Sequence, residues 1–180
     1  FCLSKRNKEI INNKSNIAHL SIPAISVTIT IYIQLIIGAI MRHTESGLAI
    51  PDFPMSGGFI LPLFNQAMVD AIHSMHFDAG LQFVEFYQII IHFAHRIGAL
   101  AVTVSIGYLS LKLFQLKIQF SIVHKLLLTM IFLLIIQIFL GAMTIWTVKN
   151  PLITSVHVLN GAIILGTSAL FILNYLFYSS

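Results

Sequence analysis

Apolar and polar positions along this chain separate into four long apolar windows joined by polar connections. A helix needs about 20 mainly apolar residues to cross a hydrocarbon core of roughly 30 Å. Windows of that length lie at residues 22–41, 86–111, 122–146 and 154–178. The pattern predicts an all-α integral membrane four-helix bundle over residues 22–178, preceded by a polar N-terminal tail at residues 1–21.

The longest polar connection, residues 42–85, follows the first window. Its first part, SGLAIPDFPMSGGFILP, places Pro51, Pro54 and Pro62 among glycines, which favours a fixed series of turns over a helix. The part at residues 66–85 has no proline and is compatible with an amphipathic helix on the membrane surface. A loop this long is more often functional than accidental.

Basic and acidic residues divide between the two sides of the bundle. Five of the six acidic residues lie in the long loop, whereas basic residues flank the other side of the spans: Lys5, Arg6, Lys8, Lys14, Lys112, Lys117 and Lys125. Because Lys and Arg near membrane crossings stay on the cytoplasmic side, both termini are expected to be cytoplasmic and the long loop to lie outside.

Composition agrees with a membrane protein and excludes some classes of function. The chain is 57% hydrophobic and 9% charged, too apolar for a soluble domain of this size. Topology accounts for the net charge of +4, so no nucleic-acid partner is expected and membrane lipid is. Cys2 is the only cysteine, which excludes an intrachain disulfide and a cysteine-based metal cluster.

Histidine or arginine residues lie inside two of the apolar windows: His92, His95 and Arg96 in the second and His157 in the fourth. His124 and Lys125 lie only near the inner end of the third. Such residues are costly in lipid and usually mark function. His95 lies roughly two turns, and His157 about one turn, from the outer end of its span. The second and fourth spans are parallel and face each other across the diagonal of an up-and-down bundle. We therefore expect a haem between them, with His95 and His157 as axial ligands of the iron.

Two further features fit a haem at this position. Gly98 lies at i+3 from His95 and Gly161 at i+4 from His157, which places a small residue on the face of each histidine and leaves room for a porphyrin edge. The guanidinium group of Arg96 suits a haem propionate.

Simpler interpretations stay open for these residues. An intramembrane histidine often only bonds one helix to another. His73 and His76 have an i, i+3 spacing that could bind a metal ion, but a plain surface helix is the preferred interpretation. Gln137 and Gly141 are interpreted as close-packing features of the third span.

Three ordered stretches resemble the haem A synthase family: GAIMRHTESGLAIPDFPMSGGFILP, IHFAHRIGAL and QIFLGAMTIWTVKNPLITSVHVLNGAIIL. The resemblance covers roughly residues 30–170. Members of that family have eight spans built as two similar halves, one for the substrate haem O and one for a haem B cofactor. This chain resembles one half.

The departures from the family pattern indicate which half. His92 stands where the substrate half carries a glutamate, and Ile50 and Ser56 stand where many first halves carry cysteines. The resemblance thus implies the carboxyl-terminal, haem-B-binding half, with His95 and His157 as axial ligands. It leaves no catalytic residue assigned in this chain.

The resemblance implies oxidation of a haem O methyl group to the formyl group of haem A, in a homodimer or with a separate N-terminal half, and it leaves the electron acceptor open. A bacterial plasma membrane is expected, and a mitochondrial inner membrane stays open as an alternative. Two other functions stay open: a b-type electron-transfer module without haem-modifying activity, and a non-enzymatic scaffold for oxidase assembly.

Overall fold

The computed structural model describes residues 2–115 and 121–179, with side chains at 20–115 and 122–174. This part of the chain is helical and contains no strand. Its elements are α1 (Cys2–His43), a 3-10 helix (Ser46–Leu48), α2 (Gln66–Asp78), α3 (Phe86–Gln115), α4 (Ser121–Trp146) and α5 (Pro151–Ser179). The predicted all-α fold is confirmed.

Four of these helices are long and apolar enough to cross a membrane: Leu20–His43 in α1, Phe86–Gln115, Ile122–Trp146, and Pro151–Asn174 in α5. The predicted tail boundary at residue 21 falls inside α1, which runs unbroken through Pro23. The predicted inner connection contains Lys117, which lies outside the described residues.

The fourth span begins three residues earlier than predicted, at Pro151. Asn150 caps it, because its side-chain oxygen accepts a hydrogen bond from the amide of Leu152 at 3.0 Å. Proline is well suited to the first helical position, where its missing N–H leaves no partner unsatisfied. The earlier start brings His157 closer in depth to His95.

The four spanning helices form a bundle in the order α1, α3, α4, α5. Helix α1 packs along both α3 and α5, and α4 packs along α5, whereas α3 and α4 are the neighbours that touch least. Consequently α3 and α5 lie on one diagonal of the bundle, as the positions of the second and fourth spans predict. The sparse contact between α3 and α4 is the loosest seam of the bundle.

The inner half of the bundle is filled by a continuous apolar core. All four spanning helices contribute to it: Leu20, Ala24, Val27 and Ile31; Val102, Ile106, Leu109 and Leu113; Val123, Leu127, Met130 and Leu134; Ile164 and Phe171. This packing holds the helices together below the level of the histidines.

The outer half is closed by the long loop and α2. A smaller apolar cluster joins them to α3 through Ala49, Ile50, Met68, Ile72 and Ile89. Asn65 caps the start of α2 by accepting from the amide of Met68 at 3.1 Å. The helix ends at Asp78, so the apolar-helix interpretation of residues 66–85 holds for its first two-thirds; Gly80 follows with a left-handed φ of 64°.

The proline- and glycine-rich part of the loop is a fixed turn, as its composition predicts. The carboxylate of Asp52 accepts hydrogen bonds from the amides of Gly57 and Gly58 at 2.8 and 2.7 Å. Both glycines have positive φ, 64° and 81°, a conformation that side chains with a Cβ rarely adopt. One acidic side chain therefore closes the segment that covers the bundle.

Candidate functional site

His95 and His157 face the centre of the bundle from opposite corners. His95 lies nine residues after the start of α3 and His157 six residues after the start of α5. At a rise of about 1.5 Å per residue they lie roughly 13 and 9 Å below the outer helix ends. Both rings are partly buried. The two histidines therefore lie at similar depth on the diagonal helices α3 and α5, and their role as iron ligands stays a prediction.

The His95 ring is held by Gln34 of α1. The amide nitrogen of Gln34 donates to the main-chain carbonyl of His95 at 2.9 Å. The same nitrogen lies 3.2 Å from Nδ1 and 3.4 Å from Nε2 of the imidazole. The amide therefore fixes both the backbone position and the ring of His95.

The His157 ring has a corresponding partner in Gln137 of α4. The amide nitrogen of Gln137 lies 3.4 Å from Nε2 of the imidazole. The amide is itself oriented by Asn160, which donates to its oxygen at 2.6 Å and to the carbonyl of Leu133 at 3.0 Å. Nδ1 of His157 is buried and has no hydrogen-bond partner among the described residues.

A glycine on a neighbouring helix lets each imidazole lie close to that helix. A Cβ at Gly38 of α1 would lie 3.2 Å from Cε1 of His95, and a Cβ at Gly141 of α4 would lie 3.4 Å from Cε1 of His157. Both distances are short for a Cβ contact. Any larger residue at either position would push the imidazole away from the helix behind it.

The two predicted glycines, Gly98 and Gly161, face glutamine side chains. A Cβ at Gly98 would overlap the side-chain oxygen of Gln34, and one at Gly161 would lie 3.2 Å from the amide nitrogen of Gln137 and 3.0 Å from Leu35. These glycines make room for the amides that contact the histidines. Room for a porphyrin edge beside them stays a prediction.

Arg96 is bound to the outer loop. Its terminal nitrogens donate to the carbonyls of Met55 at 2.6 Å, Asp52 at 2.7 Å and Ile50 at 3.2 Å, and to the hydroxyl of Ser56 at 3.3 Å. Its Nε is buried and has no partner within the described part of the chain. Contact with a propionate stays a prediction, while the observed role of Arg96 is to anchor the loop.

His92 ties the same loop to α3 one turn nearer the outer surface. The side chain is 3% exposed. Its Nδ1 lies 3.0 Å from the carbonyl of Ser46 and 3.4 Å from the amide of Ile50. His92 therefore contacts the cover of the bundle, where the family pattern would have an acidic side chain.

His73 and His76 bond the loop to itself. Nε2 of His73 lies 3.0 Å from the carbonyl of Val84. The two ring nitrogens of His76 lie 2.6 Å from the carbonyl of Gln82 and 3.0 Å from that of Leu48. No cluster of three or more metal-binding side chains occurs among the described residues. These contacts favour the surface-helix interpretation over a metal site.

The loop covers the seam between α3 and α4. The guanidinium carbon of Arg96 lies over the Phe53 ring, 5.6 Å from the ring centroid. Phe53 also makes an edge-to-face contact with Trp146 at the end of α4, and the two ring centroids are 6.2 Å apart. Trp146 is also half exposed, as a residue of the aromatic membrane belt would be. The site thus has a cover outside, an apolar core inside, and two imidazoles between them.

The residues present fit a haem with two axial histidines. Such an iron needs one neutral imidazole on each side and no third protein ligand. His95 and His157 supply this donor set from opposite helices, and the buried Nδ1 of His157 has no partner among the described residues. The sparsely packed seam between α3 and α4 is the side on which a flat macrocycle would meet the least packing.

The sequence interpretation missed Gln34 and Gly38, and took Gln137 and Gly141 for packing residues. A repeat would have revealed them: α1 contains QLIIGA at residues 34–39, and α4 contains QIFLGA at residues 137–142. Both glutamines also lie nine residues before the end of their helix. The shared pattern and depth indicate a shared role.

Comparisons with known proteins identify the relatives of this chain. The family model described as "Cytochrome oxidase assembly protein" matches residues 2–169. The chain is 27% identical over 145 residues to the "Heme A synthase" of Staphylococcus haemolyticus, covering 79% of this chain and 40% of that protein. The corresponding figures for "Heme A synthase" of Rickettsia prowazekii are 29% over 134 residues, 74% and 36%. No solved structure matches.

The extent of these matches bears on the half-protein interpretation. The chain spans only 36–40% of the length of the curated relatives it matches. That share is consistent with a chain that corresponds to one of two similar halves. The bacterial relatives and the four membrane-capable helices support a multi-pass protein of the plasma membrane.

Proposed function

Because this chain belongs to the cytochrome oxidase assembly protein family, we propose that it is the haem-B-holding half of a haem A synthase-type membrane oxidoreductase. The observation that carries the proposal is the placement of His95 and His157. They lie on α3 and α5, the diagonal helices, at similar depth.

In this proposal His95 and His157 would hold the iron of a haem B. When bound, that group supplies a carrier that takes up and releases single electrons. The chain's own residues hold and orient it: α3 and α5 set the spacing of the two imidazoles, and the apolar core below Ile31 and Val102 forms a floor.

The outer loop excludes water from this site. Arg96 holds four polar groups of the loop, and Phe53 carries the loop across to α4. A dry cavity prevents side reactions and strengthens every electrostatic interaction inside it. The cover therefore has a use in an oxidoreductase that a plain helix bundle would not need.

The proposed reaction of the assembled enzyme is oxidation of the haem O methyl group to the formyl group of haem A. This oxidation takes an oxygen atom from water and releases four electrons and four protons from the methyl group and that water, so the assembled enzyme also needs an electron acceptor. The substrate site would be supplied by a second copy of the chain or by a separate N-terminal half. Because a second copy would also carry His92 where the substrate half of the family pattern has a glutamate, the proposal favours the separate N-terminal half.

The first test is the reduced-minus-oxidised visible spectrum of the detergent-purified chain supplied with haem B. We expect a six-coordinate low-spin b-type spectrum that is lost, or converted to high spin, in His95→Ala and in His157→Ala. His43→Ala is the matched control, because His43 is exposed at the end of α1. A wild-type spectrum in either site variant would refute the ligand pair.

A second test separates haem binding from haem modification. Membranes that contain the chain, with and without a co-expressed amino-terminal half, are supplied with haem O and their pigments are separated by chromatography. Haem A is expected only when the complementary half or a dimer is present. A strictly monomeric preparation that converts haem O would refute the need for a second half.

A further inference from the structure

The same arrangement of one glutamine, one histidine and two glycines occurs in two helix pairs of the bundle. In the pair α1 and α3, Gln34 contacts His95, Gly38 lies behind the His95 ring, and Gly98 makes room for Gln34. In the pair α4 and α5, Gln137 contacts His157, Gly141 lies behind its ring, and Gly161 makes room for Gln137. Each glutamine precedes its own glycine by four residues, which places both on one face of the helix.

The contacts are reciprocal within each pair. The histidine helix carries a glycine against the glutamine, and the glutamine helix carries a glycine against the histidine. The amide and the imidazole therefore lock together between two closely approaching helices. The arrangement occurs twice in one chain, on the two helix pairs that pack most closely. This repetition indicates that the arrangement has a role.

Each amide is itself held in a defined orientation. Gln34 donates to the carbonyl of His95 at 2.9 Å, and the oxygen of Gln137 accepts from Asn160 at 2.6 Å. A fixed amide against the ring restricts the rotation of the imidazole. Residues that fix the orientation of metal-binding histidines affect ligand geometry and metal affinity.

We propose that Gln34 and Gln137 are positioning residues that orient the imidazoles of His95 and His157 for iron, with Gly38 and Gly141 allowing the rings to lie against the neighbouring helices. This inference rests on the proposed function, since it assigns a role to residues that act through the two ligands. It predicts that the two glutamines have equivalent effects on haem binding, Gln34 through His95 and Gln137 through His157.

The experiment replaces each amide by a side chain of similar length without N–H groups, Gln34→Met and Gln137→Met. The matched control is Gln88→Met. Gln88 also lies at the outer end of the bundle, but its amide donates to the carbonyl of Thr44 at 2.8 Å and contacts no imidazole. Helix content by circular dichroism establishes that each variant folds.

The first measurement uses the haem-free full-length chain in detergent, with 15N in the histidine rings. We expect the ring 15N resonances of His95 to move in Gln34→Met and those of His157 to move in Gln137→Met. Gln88→Met should leave both sets in place. Unchanged resonances in the two site variants would overturn the proposal, whatever their affinity for haem.

The second measurement uses the same chains supplied with haem B. We expect haem affinity to fall about 10–100-fold in each site variant, with altered low-spin g-values in the electron paramagnetic resonance spectrum, which report the orientation of the imidazole planes. The positioning role would also be overturned if the ring resonances move in Gln34→Met and Gln137→Met but their haem affinity and g-values equal those of Gln88→Met.

Glycine variants give an independent test that does not remove an amide. Gly38→Ala and Gly141→Ala place a methyl group against a ring, whereas no described atom lies within 4 Å of a Cβ at the control positions Gly107 and Gly166. We expect altered g-values in the first two variants and wild-type values in the controls. Wild-type g-values in all four would contradict the inference.

The outcomes distinguish this inference from the proposed function. If the wild-type chain binds no haem, the proposed function fails and the positioning role toward iron fails with it, yet the ring resonances still report whether the amides hold the imidazoles. If haem binds through His95 and His157 and the two Gln→Met variants leave its affinity and g-values unchanged, the proposed function stands and only the positioning role is refuted.

Discussion

The two halves of the bundle pack the same four helices with different side chains. The outer half is the one covered by the long loop, and the inner half is the one remote from it. The inner half closes on an apolar core that runs from Leu20 to Phe171. At the level of the histidines the interior holds imidazoles and amides instead, and the outer end is closed by a loop fixed through Arg96 and His92. Apolar burial is therefore concentrated in the inner half, and the proposed haem site belongs to the outer half.

This contrast has a physical reason. Within lipid, helices gain little from hydrophobic association and depend on close packing and interhelical hydrogen bonds. A polar interior is kept only where its groups find partners or a use. The outer half leaves His157 Nδ1, Gln34 Oε1 and Arg96 Nε buried without partners among the described residues, which marks it as the half built for a ligand.

The largest effect should come from the inner half. Phe171 is 1% exposed, and Phe171→Ala should lower the free energy of unfolding by about 3 kcal/mol because it leaves a cavity in the core. Unfolding in mixed micelles with increasing dodecyl sulfate, followed by circular dichroism, measures this loss. The neighbouring lipid-facing Leu170→Ala is the control, and equal losses would contradict the assignment of the core to the inner half.

The next effect should be confined to the outer cover. Arg96→Ala removes four hydrogen bonds from a charged donor, and we expect opening of the loop to become easier by about 2–3 kcal/mol. Hydrogen exchange of the amides at residues 50–58 should accelerate, while exchange in the inner core stays unchanged. Arg42→Ala, at an exposed position, is the control. Protection lost throughout the bundle would show that the two halves are not separable.

A smaller loss of stability is expected from a substitution at the close contact between α1 and α3. Gly98→Ala would drive a methyl group into the side chain of Gln34 and should lower the free energy of unfolding by about 1–2 kcal/mol. Gly107→Ala, on the same helix with no described atom within 4 Å, should be neutral or stabilising by up to about 1 kcal/mol. Identical results at the two positions would remove the evidence for a tight outer contact.

The smallest effect concerns the turn that closes the loop. Asp52→Asn keeps one acceptor of the two that serve Gly57 and Gly58, so loop opening should become easier by about 1 kcal/mol. Exchange rates of those two amides measure the change. Asp70→Asn is the control, since the exposed Asp70 bonds only within α2, to Gln66. Equal protection in both variants would exclude Asp52 as the clasp.

The sequence by itself determined the features that depend on neighbours along the chain. Long apolar windows give spanning helices because a bilayer demands about 20 apolar residues in a row. Charge counts and the prolines of residues 51–62 separated spans from the loop, and the depth of His95 and His157 followed from counting along their helices. These predictions needed only the rise of a helix and the preferences of single residues.

Only the tertiary structure decided which side chains meet across helices. Gln34 reaches His95 over a separation of 61 residues, and Arg96 binds carbonyls that lie more than 40 residues earlier in the chain. No local pattern encodes such a contact, because it depends on helix rotation and on which neighbours approach most closely. The hydrogen bonds of Arg96 to the loop were not predicted, and its contact with a propionate stays a prediction. The repeat along the chain pairs Gln34 with Gln137, but their contacts with the two imidazoles depend on the packing of the four helices.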